Sequence, residues 1–329
     1  MKDVLWVASG SGVRWFRQEG EAWEQLGHAL AGSELTCVDA SGRAVIVGGV
    51  DGVMRSLDSG ANWQAADEGL TIPHARWVAL HPDVPGLTLL GTEPAAIFRS
   101  EDHGASWTNC PEIARLRKAG GWFLPYSPES GCIRGLAFRG ERAYAAAEVG
   151  GALRSDDTGR TWRLTKGSQG KARFEDPPER HIHPDVHSIL THRASADLVY
   201  APTGGGFYLS RDGGKTWELR YACYCRAVWV DPADPDHIIL GPADDVDRNG
   251  RIEESRDAGL TWHAASQGLK VPWRRHMVER LTQFGEGLIA VLSNGEVLFA
   301  ELPGLRWRPI LEEAGDVRAV AVTDGAIFP

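Results

Sequence analysis

The chain has 329 residues, 43% of them hydrophobic and 24% charged, with a formal net charge of -9. That length supports a sizeable core, the acidic balance argues against a nucleic-acid backbone as the main partner, and no apolar run approaches the roughly 20 residues that span a bilayer. Five cysteines, an odd number, and an opening MKDVLWVASGSGVRW without a basic-then-apolar leader point to reduced thiols and a cytoplasmic location.

In chain order, three strands come first, DVLWVAS, GVRWFRQ and AWEQL, and a repeating unit follows. Its first full copy reads as four short β-prone segments, LTCVDA, AVIVGG, GVMRSL and NWQAA, separated by turn residues. The last turn of the unit carries the pattern Ser-x-Asp-x-Gly-x-x-Trp, which recurs from Ser56, Ser100, Ser155, Ser210 and Ser255. Its chemistry is that of a hairpin turn: the carboxylate accepts backbone N–H groups, glycine supplies positive φ, and Trp opens the outgoing strand. Trp63, Trp107, Trp162, Trp217 and Trp262 close these five, and Trp23 and Trp307 mark two degraded copies. Steps between them run from 40 residues (23 to 63) to 55 (107 to 162), so the units number seven. The closing DVRAVAV looks like every other innermost strand and supplies the one missing from the first unit, residues 317–323 against 3–9. The expected fold is all-β, a seven-bladed β-propeller of four-stranded antiparallel blades, with residues 1–329 as a single domain.

Insertions interrupt the repeat at 110–131, 165–185 and 266–275. The first predicts a helix with Pro111 at its first position, Ile113 and Leu116 on one face, and Gly120 or Gly121 as its stop. Trp122, Phe123 and Tyr126 follow, either as a stacking platform for a ligand, with Trp122 as the substrate contact, or as a small core pinning the insertion. Cys110 and Cys132 bracket this segment and would pair only in an oxidising compartment.

Topology puts the five Asp turns on one face, which makes their aspartates structural, and the starts of the innermost strands on the other. Aligned, those starts are Thr36, Arg76, Arg134, His187, Arg226, Glu279 and Arg318. Guanidinium groups cannot shed their protons, so such a ring needs an anion or nearby carboxylates. Either the arginines are structural ties, or Arg76, Arg134, Arg226 and Arg318, with Glu279, bind an anionic substrate. Glu93 in GTEPAAIFRS and Glu148 in AAEVGGALRS hold equivalent loop positions above Arg76 and Arg134. A carboxylate pair suits acid–base chemistry or simply neutralises the ring. In ERHIHPDVHSI, alternation places His183, Asp185 and His187 on one side, a candidate divalent-metal set, and His187 is the candidate general acid or base. His74 and His276 occupy similar pre-strand positions. The run Asp245, Asp247, Asn249, Gly250 echoes the start of a calcium loop, yet Arg256 stands where that loop needs a glutamate.

On its Asp boxes, together with GTEPAAIFRSEDHG, AAEVGGALRSDDTG and PDVHSI, the chain resembles the sialidase-type Asp-box propellers, and more narrowly bacterial BNR-repeat glycosyl-hydrolase-like proteins. True sialidases have six blades and an Arg-Ile-Pro motif before the first box; seven units and no such tripeptide here argue against sialidase activity. Together with the cationic mouth, the resemblance leads us to expect a hydrolase or lyase for a small anionic, acidic-sugar-like or ester substrate, with Glu93, Glu148 and His187, chosen from their loop and strand positions, carrying proton transfer or ligating a metal. The architecture is also similar to the seven-bladed photosystem II assembly factors, which implies the alternative: a non-catalytic scaffold with a protein partner.

Overall fold

The computed structural model describes residues 3–124, 126–127, 130–172 and 176–324, so residues 125 and 128–129 of the first insertion and 173–175 of the second lie outside the described residues. Seven four-stranded antiparallel sheets form a β-propeller. The first blade is built from both ends of the sequence: Val317–Thr323 is its inner strand, followed by Val4–Ser9, Gly12–Glu19 and Ala22–Ala29. Trp6 Nε1 donates to Thr323 Oγ1 at 3.0 Å across this closure. In blades two to seven the inner strands are Leu35–Ser41, Ala75–Leu80, Cys132–Arg139, Leu190–His192, Tyr224–Val230 and Val278–Phe284.

The apolar core is divided into seven layers, each between neighbouring blades. Strand alternation produces them: Val45 and Val47 face blade one, whereas Ile46 between them faces blade three. The second strand of the blade is thus apolar on both faces, which is why AVIVGG reads as a continuous hydrophobic run.

The Asp boxes are hairpin locks. In the third, Ser155 Oγ donates to Asp157 Oδ1 at 2.6 Å and accepts the Gly159 N–H at 2.9 Å. Asp157 also accepts the Thr161 N–H at 2.9 Å and hydroxyl at 2.6 Å. Gly159 has φ of 82°, and a Cβ there would stand 2.7 Å from Leu89 of the preceding blade. The helix Pro111–Gly120 buries Ile113 and ends at Gly121, φ 62°. No helix among the described residues is long and apolar enough to cross a membrane.

Candidate functional site

Every inner strand carries one extra residue at its start. Leu35 and Cys37 pair with consecutive residues of the next strand, leaving Thr36 unpaired; the same happens at Arg76, Arg134, Glu279 and Arg318. In blade six the irregularity spans Arg226 and Ala227, and in blade five Val186 bridges Thr203 while Leu190 pairs with Tyr200, so His187 falls in the extra segment. A β-bulge re-aims a side chain out of the sheet alternation. The seven residues so released line one cavity of about 380 Å³ at the channel mouth. These are the seven ring positions of the aligned strand starts.

Carboxylates thread between the arginines. Glu279 bridges two of them, accepting from Arg134 Nη2 at 3.1 Å and from Arg226 Nη1. Glu148 lies 3.5 Å from Arg134, and Glu93 lies 3.5 Å from Arg76. Arg318, at the rim, pairs with Asp316 at 2.9 Å and Glu34 at 3.6 Å. Arg226 also donates to the Tyr224 hydroxyl at 3.0 and 3.2 Å, and that hydroxyl is 3.3 Å from His187 Nε2. The other side of His187 Nε2 faces Asp185 Oδ2 at 3.1 Å, while Nδ1 contacts the Cys225 carbonyl at 2.8 Å.

Burial alone would raise the Glu279 carboxyl, but Arg226 and Arg134 outweigh it and hold it below the usual range. Asp185 shows the same contest, with burial opposed by His187 and the carboxyl left at about 2. Glu93 goes the other way: burial pushes it up, Arg76 only partly offsets this, and Glu148 adds to the rise. Burial raises the Tyr224 phenol to about 12.

Arg280 is the residue the aligned strand starts passed over. It follows the bulge residue Glu279 and reaches across the channel to lie 4.2 Å from the Trp77 ring centroid in blade three. Its Nε donates to the Arg318 carbonyl at 3.0 Å, and among the described residues no carboxylate pairs with it. Burial lowers this guanidinium to about 10, so it stays charged at neutral pH. Arg280 and Trp77 also line the roughly 530 Å³ cavity further along the channel, so they form a floor between the two spaces. Ring position was the only signal used for the arginines, and Arg280 is off by one. Tyr224, at the start of blade six, was likewise passed over.

Two expectations need correction, the Trp122 contact and the place of His183 in the metal set, whereas the calcium-like run is the turn that its missing glutamate implies. Trp122 contributes no face to the cavity: it is 1% exposed, packs among Ile113, Ile133 and Ala147, and donates Nε1 to the Gly170 carbonyl at 2.8 Å. It is the core that joins two insertions. His183 does not join Asp185 and His187 in a metal-ligating group; its Nδ1 accepts the Asp185 N–H at 3.2 Å. Glu148 takes that place, with ligand atoms of Glu148, Asp185 and His187 all within 4.8 Å of one another. The calcium-like run is a closed turn, in which Asp244 accepts from Asn249 at 2.9 Å and Arg251 at 3.2 Å, and Gly250 pairs with Trp273. The five cysteines are free thiols, with Cys110 and Cys132 in separate buried clusters.

Residues 208–219 match the family described as BNR/Asp-box repeat. No curated protein matches the chain by sequence. Among solved structures, YCF48 bound to D1 peptide is similar with TM-score 0.61 and 17% identity, over 91% of this chain and 89% of that one. YCF48 from Cyanidioschyzon merolae matches with TM-score 0.61 and 17% identity, over 92% and 96%. The GH74 xyloglucanase from Xanthomonas campestris has TM-score 0.65 and 17% identity, over 95% of this chain but only 47% of that enzyme. At such identities the likeness is one of fold. The ring of blades makes the fold a seven-bladed β-propeller, with Asp-box hairpins at five of its turns, one of which the repeat family matches.

Proposed function

We propose that the cavity binds a small anionic substrate and that the protein is a hydrolase or lyase acting on it. One observation carries the reading: Arg280, a half-buried cation with no carboxylate partner among the described residues, lies in a cavity with Arg76, Arg134 and Arg226. A half-desolvated charge without a counter-ion is costly, and an anion in the cavity offsets that cost. Proton transfer falls to Glu93, Glu148 and His187. Of these, Glu93 has its carboxyl raised by burial, with Arg76 only partly opposing, which is the direction a general acid needs.

The test is calorimetric titration with sulfate and with a uronic acid. Arg280→Met keeps the apolar stem on Trp77 and removes the charge, so anion binding should be lost while the fold persists. Binding that is undetectable in the native protein, or unchanged by Arg280→Met, sinks the reading. For catalysis, Glu93→Gln should lower turnover of a substrate found in a panel of acidic sugars, esters and lactones by about 100-fold or more.

A second reading is a non-catalytic binding propeller. It is supported by the match along nearly the full length of YCF48, one structure of which holds a D1 peptide. That reading predicts no turnover on the panel, with partner binding lost on Arg-to-Ala changes.

A further inference from the structure

We infer that Glu148, Asp185 and His187 form a binding site for one divalent first-row transition ion, such as Zn²⁺ or Mn²⁺, in the wall of the arginine cavity. This goes beyond the anion-binding reading and does not depend on it: the ion's ligands are separate from Arg280, and with the ion bound Glu148 and His187 serve as its ligands and proton transfer is left to Glu93.

The hydrogen bonding of His187 is the first observation. Its Nδ1 lies 2.8 Å from the Cys225 carbonyl, which can only accept, so Nδ1 carries hydrogen. In the neutral ring the lone pair is then on Nε2, which faces Asp185 Oδ2 at 3.1 Å. Two lone pairs oppose each other there unless something positive joins them. A ring nitrogen aimed at a site, with its other N–H held by a backbone carbonyl, is the arrangement that orients histidine ligands.

The second observation is an orphaned atom. Asp185 is 9% exposed, and its Oδ1 is buried with no hydrogen-bond partner among the described residues. A carboxylate oxygen left in this way is expensive, and metal ligation satisfies it.

The third is that the backbone makes room for this carboxylate. The Glu93 N–H donates to the His74 carbonyl at 3.0 Å, and the Gly204 N–H donates to the Asp185 carbonyl at 2.9 Å, the same rung in blades three and five. Gly204 therefore occupies the position that holds Glu93 in blade three and Glu148 in blade four. A Cβ on Gly204 would stand 2.3 Å from Asp185 Oδ2. Blade five thus supplies its carboxylate from the preceding loop instead.

Metal–ligand distances of about 2.0–2.2 Å put neighbouring ligand atoms roughly 3–3.5 Å apart. The Asp185–His187 contact already has that spacing. The three residues' ligand atoms lie within 4.8 Å, so the remaining closure falls to Glu148, the longest and most adaptable side chain. Its contact with Arg134 lengthens, and Arg134 keeps Glu279. One imidazole with two carboxylates suits zinc, manganese or iron(II) better than magnesium or calcium. Of the three residues only His187 lines the cavity, so the site lies in the wall behind the arginines.

The experiment is elemental analysis of the purified full chain, then calorimetric titration of the chelator-treated protein with zinc chloride and manganese chloride. One ion per chain is expected, with a rise in thermal unfolding temperature. Asp185→Asn, Glu148→Gln and His187→Ala should each weaken uptake by about 10-fold or more and remove the thermal shift. His181→Ala, at a histidine outside the group whose Nδ1 meets the Glu179 carbonyl, should leave both unchanged. Circular dichroism checks that each variant is folded; the two isosteric changes decide the matter if His187→Ala is not. No stoichiometric uptake by the folded native protein, or uptake insensitive to Asp185→Asn and Glu148→Gln, overturns the site. Sulfate binding measured on chelated protein separates this result from that of the anion pocket.

Discussion

Glu279→Gln is the sharpest probe of the ring. The substitution keeps the size of the side chain and one acceptor oxygen but removes the charge shared by Arg134 and Arg226. Each charge pair at about 4 Å is worth roughly 4 kcal/mol at an effective dielectric of 20. Relief of the desolvation of Glu279 offsets much of that gain, and stripping one partner from a buried pair costs about 3–5 kcal/mol. Arg134 retains Glu148, and the site borders a cavity, so we expect about 2–4 kcal/mol of lost stability. Urea unfolding followed by tryptophan fluorescence measures it, with an unchanged m-value showing that the fold is intact. The variant should also be rescued by sulfate more strongly than the native protein, because the added anion replaces the missing carboxylate. A loss under about 0.5 kcal/mol, the usual range for a surface change, would show that Glu279 is not the negative hub of the ring. Destabilisation without sulfate rescue would show that the cavity does not admit the anion.

Two further outcomes concern the frame. Asp157→Ala should cost about 1–3 kcal/mol through the unpaired Thr161 and Ser155 donors, with sulfate affinity unaltered because the box lies on the opposite face. Acid should unfold the protein in a defined window. Hydrogen bonds hold Asp58 and Asp257 at about 2, and they do the same for Asp102 against a partial desolvation that opposes them. A depressed folded-state value means that the contribution is complete above about 4, the unfolded value, and is lost as pH falls through about 2. Asp39 has the opposite sign, since burial raises it to about 6 and its stabilising effect fades as pH rises from about 4 to 6. Unfolding free energies measured from pH 7 down to 2 should fall steeply only at the acid end; a steep fall starting near pH 6 would contradict the assignment.

The blade count, the closure by 317–323 and the structural role of the Asp turns were all legible in the sequence, because each follows from local turn chemistry repeated in register. The ring could be read for a related reason: bulges recur at one place in every inner strand, so aligned first residues end in one cavity. What resisted reading came from contacts between elements distant in sequence. Arg280 acts across the channel on Trp77, which no periodicity within blade seven reveals. Trp122 has the composition of a ligand platform, and only its bond to Gly170, in a different insertion, shows it to be core. Alternation grouped His183 with Asp185 and His187, but Pro184 interrupts the extended chain, and Glu148 arrives instead from the neighbouring blade.

The strand Val317–Thr323 does more than complete a sheet, because Arg318 on it is also one wall of the cavity. The pocket and the ring therefore reach completion together. Until that last strand docks beside Val4–Ser9, the channel mouth lacks a side, and no partially built chain can hold a ligand in its finished form. Ligand affinity consequently reports on whether the circle is shut, and any ligand that spans the mouth acts as a latch on the seam between the two ends.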